Sequence, residues 1–360
     1  MRDARLGISL AALHHNLRRV RESAPYARVL AMVKADAYGH GARLVADALA
    51  EADGFGVALV EEGLELRAAG IRRPVTVLEG VFSDSEMFEA VRHHLDVVVH
   101  TELQLGYLER CRLTGPANVW LKLDTGMHRL GFAPEEALAA FRRIRAANVT
   151  GQIGLLTHFA CADELDSPLT DRQITHFRTV QALLAQSGET IQESLCNSAG
   201  ILAWPAAHGD WVRPGIMLYG SSPFAGQSAE QLGLRPVMTL SSRLIAVRTV
   251  AAGEAVGYGA AWTAERDTRI GIVGIGYGDG YPRTARNGTP VLVNGQRVGL
   301  AGRVSMDMIA VDLGALPAEP GDPCILWGEG LAVDEVAAWS GTLSYELLCK
   351  VTARVRRDVW

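Results

Sequence analysis

Six short apolar runs, at residues 29–33, 55–59, 75–78, 95–99, 119–123 and 153–156, alternate with segments whose apolar positions recur at helical spacing. Runs of this length, rich in Val and Leu without a polar face, suit strands buried on both sides, the condition of a parallel sheet. The stretches at 41–52, 61–69, 102–110, 134–146 and 171–186 read as helices, several opened by a Ser, Thr or Asp or by an early Pro. Parallel strands cannot be joined by hairpins and need a crossover each, so the alternation predicts an α/β fold. About eight such units fit before residue 220, which favours a closed (β/α)8 barrel of the TIM type over an open sheet.

The texture changes after residues 223–228. Runs at 238–250, 269–273, 290–295, 308–313 and 323–327 are β-branched and carry no helical spacing, and Asn294-Gly295 is a strong hairpin signal. A chain of 360 residues suits two domains. The expected division is a barrel over 1–228 and a mainly β domain over 229–360.

A net charge of -5 lacks the basic excess of a nucleic-acid binder. No apolar run reaches the ~18 residues of a membrane span, and the N-terminus has no cleavable leader pattern. The five cysteines are scattered, with no C-x-x-C pair to suggest zinc or a redox dithiol, so a reduced cytoplasmic setting is expected, with neither metal, membrane nor nucleic acid as partner. Residues 274–280 lack the spacing of a dinucleotide loop, and no phosphate-binding P-loop is present.

Lysine is scarce: Lys34, Lys122 and Lys350 are the three in the chain, arginine supplying the remaining positive charge. Where arginine would serve as a plain cation, a retained lysine raises the question of an amine that must lose its proton. Lys34 follows an apolar strand and so stands at the end of the barrel where active sites are built; it reads either as a nucleophilic amine or as a strand-end lysine reaching solvent. Lys122 alternates with Leu121 and Leu123 and therefore points into the barrel or against the helices, both costly for an unpaired charge. Asp124 could pair it; otherwise it is modified or sits beside a site. His158 ends another strand, and Asn197-Ser198 opens a helix-like stretch, where it serves as a cap or an anion cradle. Gly215, after Arg213-Pro214, lets backbone approach a ligand closely. Glycine-rich stretches surround Tyr258, Tyr277 and Arg303.

In this order, the segments 31–41, 121–131, 157–160, 196–200, 212–216, 256–262, 274–283 and 302–308 resemble alanine racemase, a pyridoxal 5'-phosphate (PLP) enzyme family with an N-terminal (β/α)8 barrel and a C-terminal β domain. The resemblance covers nearly the whole chain. It implies that Lys34 carries the cofactor as a Schiff base and that Tyr258, from the partner subunit of a homodimer, is the second base. Racemisation needs a proton removed on one face of the α-carbon and one delivered on the other, which two opposed bases supply. By the same resemblance Tyr38, Ser198, Gly215, Ile216 and Tyr345 contact the cofactor phosphate, His158 and Asn197 its ring, and Arg213 its pyridine nitrogen. Arg129, Met306 and Asp307 are implied to bind alanine, Lys122 to be carbamylated beside Arg129, and Asp163, Tyr277, Arg283 and Arg303 to form an access corridor. Interconversion of L- and D-alanine, as a supply of cell-wall precursor or for catabolism, is the implied function. A serine or lysine racemase of the same fold and a PLP-dependent decarboxylase are the alternatives. The chain departs from the family's frequent Arg-Val-Pro-Arg near its end, reading Arg354-Val-Arg-Arg357.

Overall fold

A computed structural model describes residues 3–112, 117–147, 150–186, 188 and 191–360. Eight parallel strands form the first sheet: Arg28–Met32, Gly54–Val57, Val75–Val77, Asp96–Val99, Ala117–Lys122, Thr150–Leu156, Gln192–Ser194 and Trp211–Val212. Each of the first six pairs with the next, and the eighth returns to pair beside the first, with Arg28 opposite Trp211. Between the seventh and eighth, isolated bonds replace the ladder, from Asp210 N to Glu193 O (3.1 Å) and from Arg213 N to Cys196 O (2.9 Å). The expected barrel is therefore present and nearly closed. The helical segments lie between successive strands, as at Val60–Ala68, Glu102–Arg110 and Leu169–Ala185.

The barrel interior is plugged by its own cluster of Leu30, Val98, Trp120, Leu156 and Trp211, with Leu78 against it. Gly154 makes this packing possible, because a Cβ there would lie 2.3 Å from the Trp120 ring on the neighbouring strand. The plug leaves the C-terminal ends of the strands as the open mouth, floored by hydrocarbon. A larger cluster fills the space between barrel and helices and continues through the second sheet.

The second sheet also has eight strands, in the spatial order Thr268–Val273, Ile309–Gly314, Gln296–Leu300, Pro290–Val293, Pro323–Trp327, Met238–Val250, Arg5–Ile8 and Arg356–Val359. Met238–Val250 bends at a bulge near Leu244 and also pairs with Thr268–Val273, so six strands curl into a small antiparallel barrel. The predicted hairpin joins Pro290–Val293 to Gln296–Leu300, with Asn294 at φ 51° and Gly295 at φ 76°, the left-handed pair a two-residue turn requires. Arg5–Ile8 differs from expectation: grouped from sequence with residues 1–228, it is hydrogen-bonded between Met238–Val250 and Arg356–Val359 in the β sheet. Among the described residues no helix is long and apolar enough to cross a membrane.

Candidate active site

Lys34 stands two residues beyond the first barrel strand, and the chain then does something sequence reading missed. Ala35, Asp36, Ala37 and Tyr38 all have φ of 52–53°, a turn of left-handed helix made without glycine. L-residues pay roughly 1–2 kcal/mol each for that conformation, so the surroundings must hold it. Asp36 accepts from Ala42 N (2.7 Å) and from Arg357 Nη1 (3.1 Å), which ties the turn to the last strand of the second sheet. His40 donates from Nδ1 to the Ala37 and Tyr38 carbonyls and stacks on Tyr219, ring centroids 4.4 Å apart. Complete burial pushes the His40 pKa down to about 4, so this ring is neutral packing, not a proton carrier. Tyr38 also stacks on Tyr219, ring centroids 4.8 Å apart, and the Tyr219 hydroxyl donates to Met32 O at 2.7 Å.

The turn faces a cavity of about 490 Å³ at the barrel mouth. Its lining brings together Lys34, Tyr38, Lys122, Arg129, His158, Asn197, Ser198, Arg213, Gly215, Ile216 and Tyr345, eleven positions singled out from the sequence. Met32, Ala35, Leu78, Glu79, Leu130, Leu156 and Cys349 complete it. Of these, Glu79 and Cys349 are ionisable groups to which sequence reading gave no role; for Glu79, its place just past the third strand was the available signal.

Lys122 ends the fifth strand and is buried, settling its direction as inward. Asp124 does not neutralise it, for its Oδ1 accepts from Gly126 N and His128 N and its Oδ2 faces the His128 ring. Burial first, then the charges of Arg213, Arg129 and Lys34, push the Lys122 pKa down to about 8. Its neutral fraction near pH 7 is therefore far above that of a free lysine.

Arg213 follows the eighth strand and is enclosed. Its Nη1 donates to Ser194 Oγ (2.6 Å) and its Nη2 to Thr157 O (2.6 Å) and Leu195 O (3.1 Å). Burial lowers its pKa to about 10, which still leaves it cationic at neutral pH. Burial, then Arg213 and Arg129, hold His158 well below the ordinary histidine value, so it is neutral. Ser198 Oγ accepts from Gly215 N (3.0 Å) and Met217 N (3.3 Å), and Asn197 Oδ1 caps Gly200 N (3.0 Å). A Cβ on Gly215 would stand 2.5 Å from the Tyr38 hydroxyl, so glycine alone lets this backbone close on the cavity wall.

The remaining sequence candidates lie elsewhere. Tyr258 is 68 % exposed and Met306 53 % exposed, and neither lines the cavity. Local contacts join their segments: a Cβ on Gly259 would lie 3.2 Å from the Arg303 guanidinium, and Tyr277 N and Gly278 N donate to the carbonyls of Ser305 and Met306. Tyr277 and Arg283 border a separate depression. Asp163 is exposed, near enough to Tyr345 to help burial push that phenol up to about 12.

Comparison with known proteins agrees over the full length. The family model described as alanine racemase, N-terminal domain, matches residues 8–223, and that for the C-terminal domain residues 237–359. An alanine racemase of Vibrio cholerae is 52% identical over 362 residues, covering 100% of this chain and 99% of the relative. One from Shewanella sediminis is 52% identical, covering 98% of this chain and 97% of its own. The crystal structure of the biosynthetic alanine racemase from Pseudomonas aeruginosa superimposes with a TM-score of 0.96 at 52% identity, covering 100% of both chains. That of the Acinetobacter baumannii alanine racemase gives 0.94 at 41% identity, again with both chains covered in full (100%).

Proposed function

The chain belongs to the alanine racemase family of isomerases, and from that membership we propose that its barrel cavity holds PLP on Lys34 and inverts the α-carbon of alanine between Lys34 and Tyr258. The observation that carries the reading is the charge of the cavity. Lys34, Lys122, Arg129 and Arg213 line it against the single carboxylate of Glu79, a balance that suits a phosphate ester together with an amino-acid carboxylate.

The residues present fit the cofactor. The hydroxyls of Tyr38, Ser198 and Tyr345 and the backbone at Gly215 and Ile216 would hold its phosphate, with His158 and Asn197 beside its ring. When bound, PLP makes the α-hydrogen of an amino acid acidic by drawing the released electron pair into its ring. Arg213 would face the pyridine nitrogen as a donor that keeps its own proton, which moderates that electron withdrawal and disfavours side reactions such as transamination.

Nζ of Lys34 takes the α-proton of D-alanine while the Tyr258 hydroxyl protonates the opposite face, and the two exchange roles for L-alanine. A phenol needs cationic neighbours to serve as a base near neutral pH, and Arg129 supplies one while holding the substrate carboxylate. The backbone N–H of Met306 also donates to that carboxylate, with Asp307 next to it. Lys122, in its neutral fraction, attacks the carbon of carbon dioxide through the Nζ lone pair, loses one proton to solvent and becomes a carbamate anion that orients Arg129. Since Tyr258 and Met306 lie outside the cavity of their own chain, they serve the cavity of a second copy in a homodimer. Apart from the strand Arg5–Ile8, residues 1–228 form the cofactor unit, while 229–360 lend Tyr258 and Met306 to the partner and Tyr345 to their own chain's cavity, with Asp163, Tyr277, Arg283 and Arg303 guarding entry. The product is D-alanine made in the cytoplasm for the cell wall, or L-alanine recovered from it.

The test is a circular dichroism time course of the PLP-loaded protein with L-alanine, L-serine or L-lysine. Fastest loss of signal with L-alanine is expected; faster loss with another amino acid keeps the mechanism and changes the substrate, and no loss with any overturns the reading.

A further inference from the structure

The structure assigns Glu62 as a positioning residue for Lys34, a carboxylate that fixes the lysine by gripping the strained turn directly behind it. This inference rests on the reading of Lys34 as the cofactor lysine. Glu62 lies on the helix Val60–Ala68, which follows the second barrel strand, whereas Lys34 follows the first. Its Oε2 accepts from Ala58 N (2.7 Å) and Leu59 N (3.2 Å), as a glutamate at the third helical position does when it closes the start of its own helix. Its Oε1 does something that role does not require: it reaches across to the neighbouring strand end and accepts from Ala35 N at 2.7 Å.

Ala35 N belongs to the peptide that joins Lys34 to the first left-handed residue. The far end of the turn has several ties, from Asp36 to Ala42 N and Arg357 and from His40 to two carbonyls. At the near end Val33 N donates to Gly56 O (2.8 Å) and Ala37 N to Val33 O (2.8 Å), and the Glu62 carboxylate is the side-chain anchor on the Lys34–Ala35 link itself, where any rotation swings the lysine. A carboxylate suits the position because its two oxygens serve three donors just past the ends of two neighbouring strands, and charge-assisted bonds of this kind are short and strongly directional. Lys34 is thereby held by a residue that does not line the cavity.

The holoenzyme provides the test through a matched control. Glu86 also closes the start of its own helix, accepting from Phe82 N at 2.9 Å while Ser83 Oγ accepts from Glu86 N, but it has no bond to the Lys34 segment. E62Q is expected to lower kcat roughly ten- to hundredfold with little change in KM, the effect of losing one charge-assisted hydrogen bond behind a reacting group. It is also expected to change the visible circular dichroism of the bound cofactor, which reports its fixed orientation. E86Q, with the same kind of cap lost, should keep wild-type kcat and the wild-type visible band. Should E62Q fail to fold, E62D keeps the charge but, one methylene shorter, cannot serve both strand ends, and the same two readouts should shift. Wild-type kcat and visible dichroism in a folded Glu62 variant overturn the assignment. Borohydride labelling separates this from the underlying reading: a wild-type protein unmarked at Lys34 removes both, whereas a marked wild type with an unaffected Glu62 variant removes the positioning role alone.

Discussion

Nη2 of Arg213 lies 3.4 Å from Nδ1 of His158, two nitrogens facing each other inside an enclosed site. A guanidinium has donors and no acceptor, so Nδ1 must present its lone pair, and the imidazole is neutral with its proton on Nε2. That agrees with burial and Arg213 both holding His158 in its neutral form. The pair supplies one fixed positive charge and one uncharged ring.

Arg213→Met should leave Ser194 Oγ, Thr157 O and Leu195 O without their donor. Unsatisfied buried acceptors cost about 1–3 kcal/mol each, offset in part by relief of the buried guanidinium's desolvation, so a net loss of roughly 1–3 kcal/mol is expected. Urea unfolding of the cofactor-free protein measures it, and an unchanged midpoint would mean these bonds do not support the fold.

Lys122 predicts a pH dependence of stability. Its pKa is about 8 when folded and ~10.4 in the unfolded chain, so between those values the unfolded state holds the extra proton and stability rises with pH. Below about pH 8 both states are protonated and the full burial cost, up to about 3 kcal/mol, is felt. In buffer free of carbon dioxide the wild type should gain stability over this interval relative to Lys122→Met; parallel curves would contradict it. With bicarbonate present, gentle mass measurement should find 44 Da added at Lys122, the approximate mass of one carbon dioxide on a neutral amine.

Ser198→Ala removes the hydroxyl that holds Gly215 N and Met217 N. Loss of a hydrogen-bonded acceptor in a buried wall should weaken PLP binding by about tenfold. Titration of apoprotein by visible absorbance reads this directly, and an unchanged affinity would take Ser198 out of the phosphate site.

The barrel was legible because its first six strands are apolar runs long enough to show a pattern. The seventh and eighth, Gln192–Ser194 and Trp211–Val212, have three and two residues and offer no pattern to read. Lys34, Lys122, His158 and Gly215 were singled out because each stands at a strand end or shortly after one, whereas Tyr38, Arg129, Ile216 and Tyr345 came through the resemblance, Tyr345 lying on the helix Ser344–Cys349. The left-handed turn was not, since Ala35, Asp36, Ala37 and Tyr38 carry no glycine to mark it, and what holds them comes from Glu62 and Arg357, distant in the chain. Arg5–Ile8 was misplaced for a similar reason: its partners are Met238–Val250 and Arg356–Val359, and pairing at that separation leaves no trace in a local run. The role proposed for Tyr258 rests on resemblance alone, because nothing near it in sequence or in its own chain's cavity reveals a partner.

The central claim is that a working site takes Lys34 from one chain and Tyr258 from another, and subunit exchange between Lys34→Ala and Tyr258→Phe proteins tests it most directly. Each variant alone should be inactive as a racemase. In a mixed dimer one site receives both substitutions and the other neither, so an equal mixture should recover about a quarter of wild-type activity. If Tyr258 serves its own chain's cavity, no site in any mixed dimer is intact, and a mixture that exchanges subunits yet stays inactive would contradict the account.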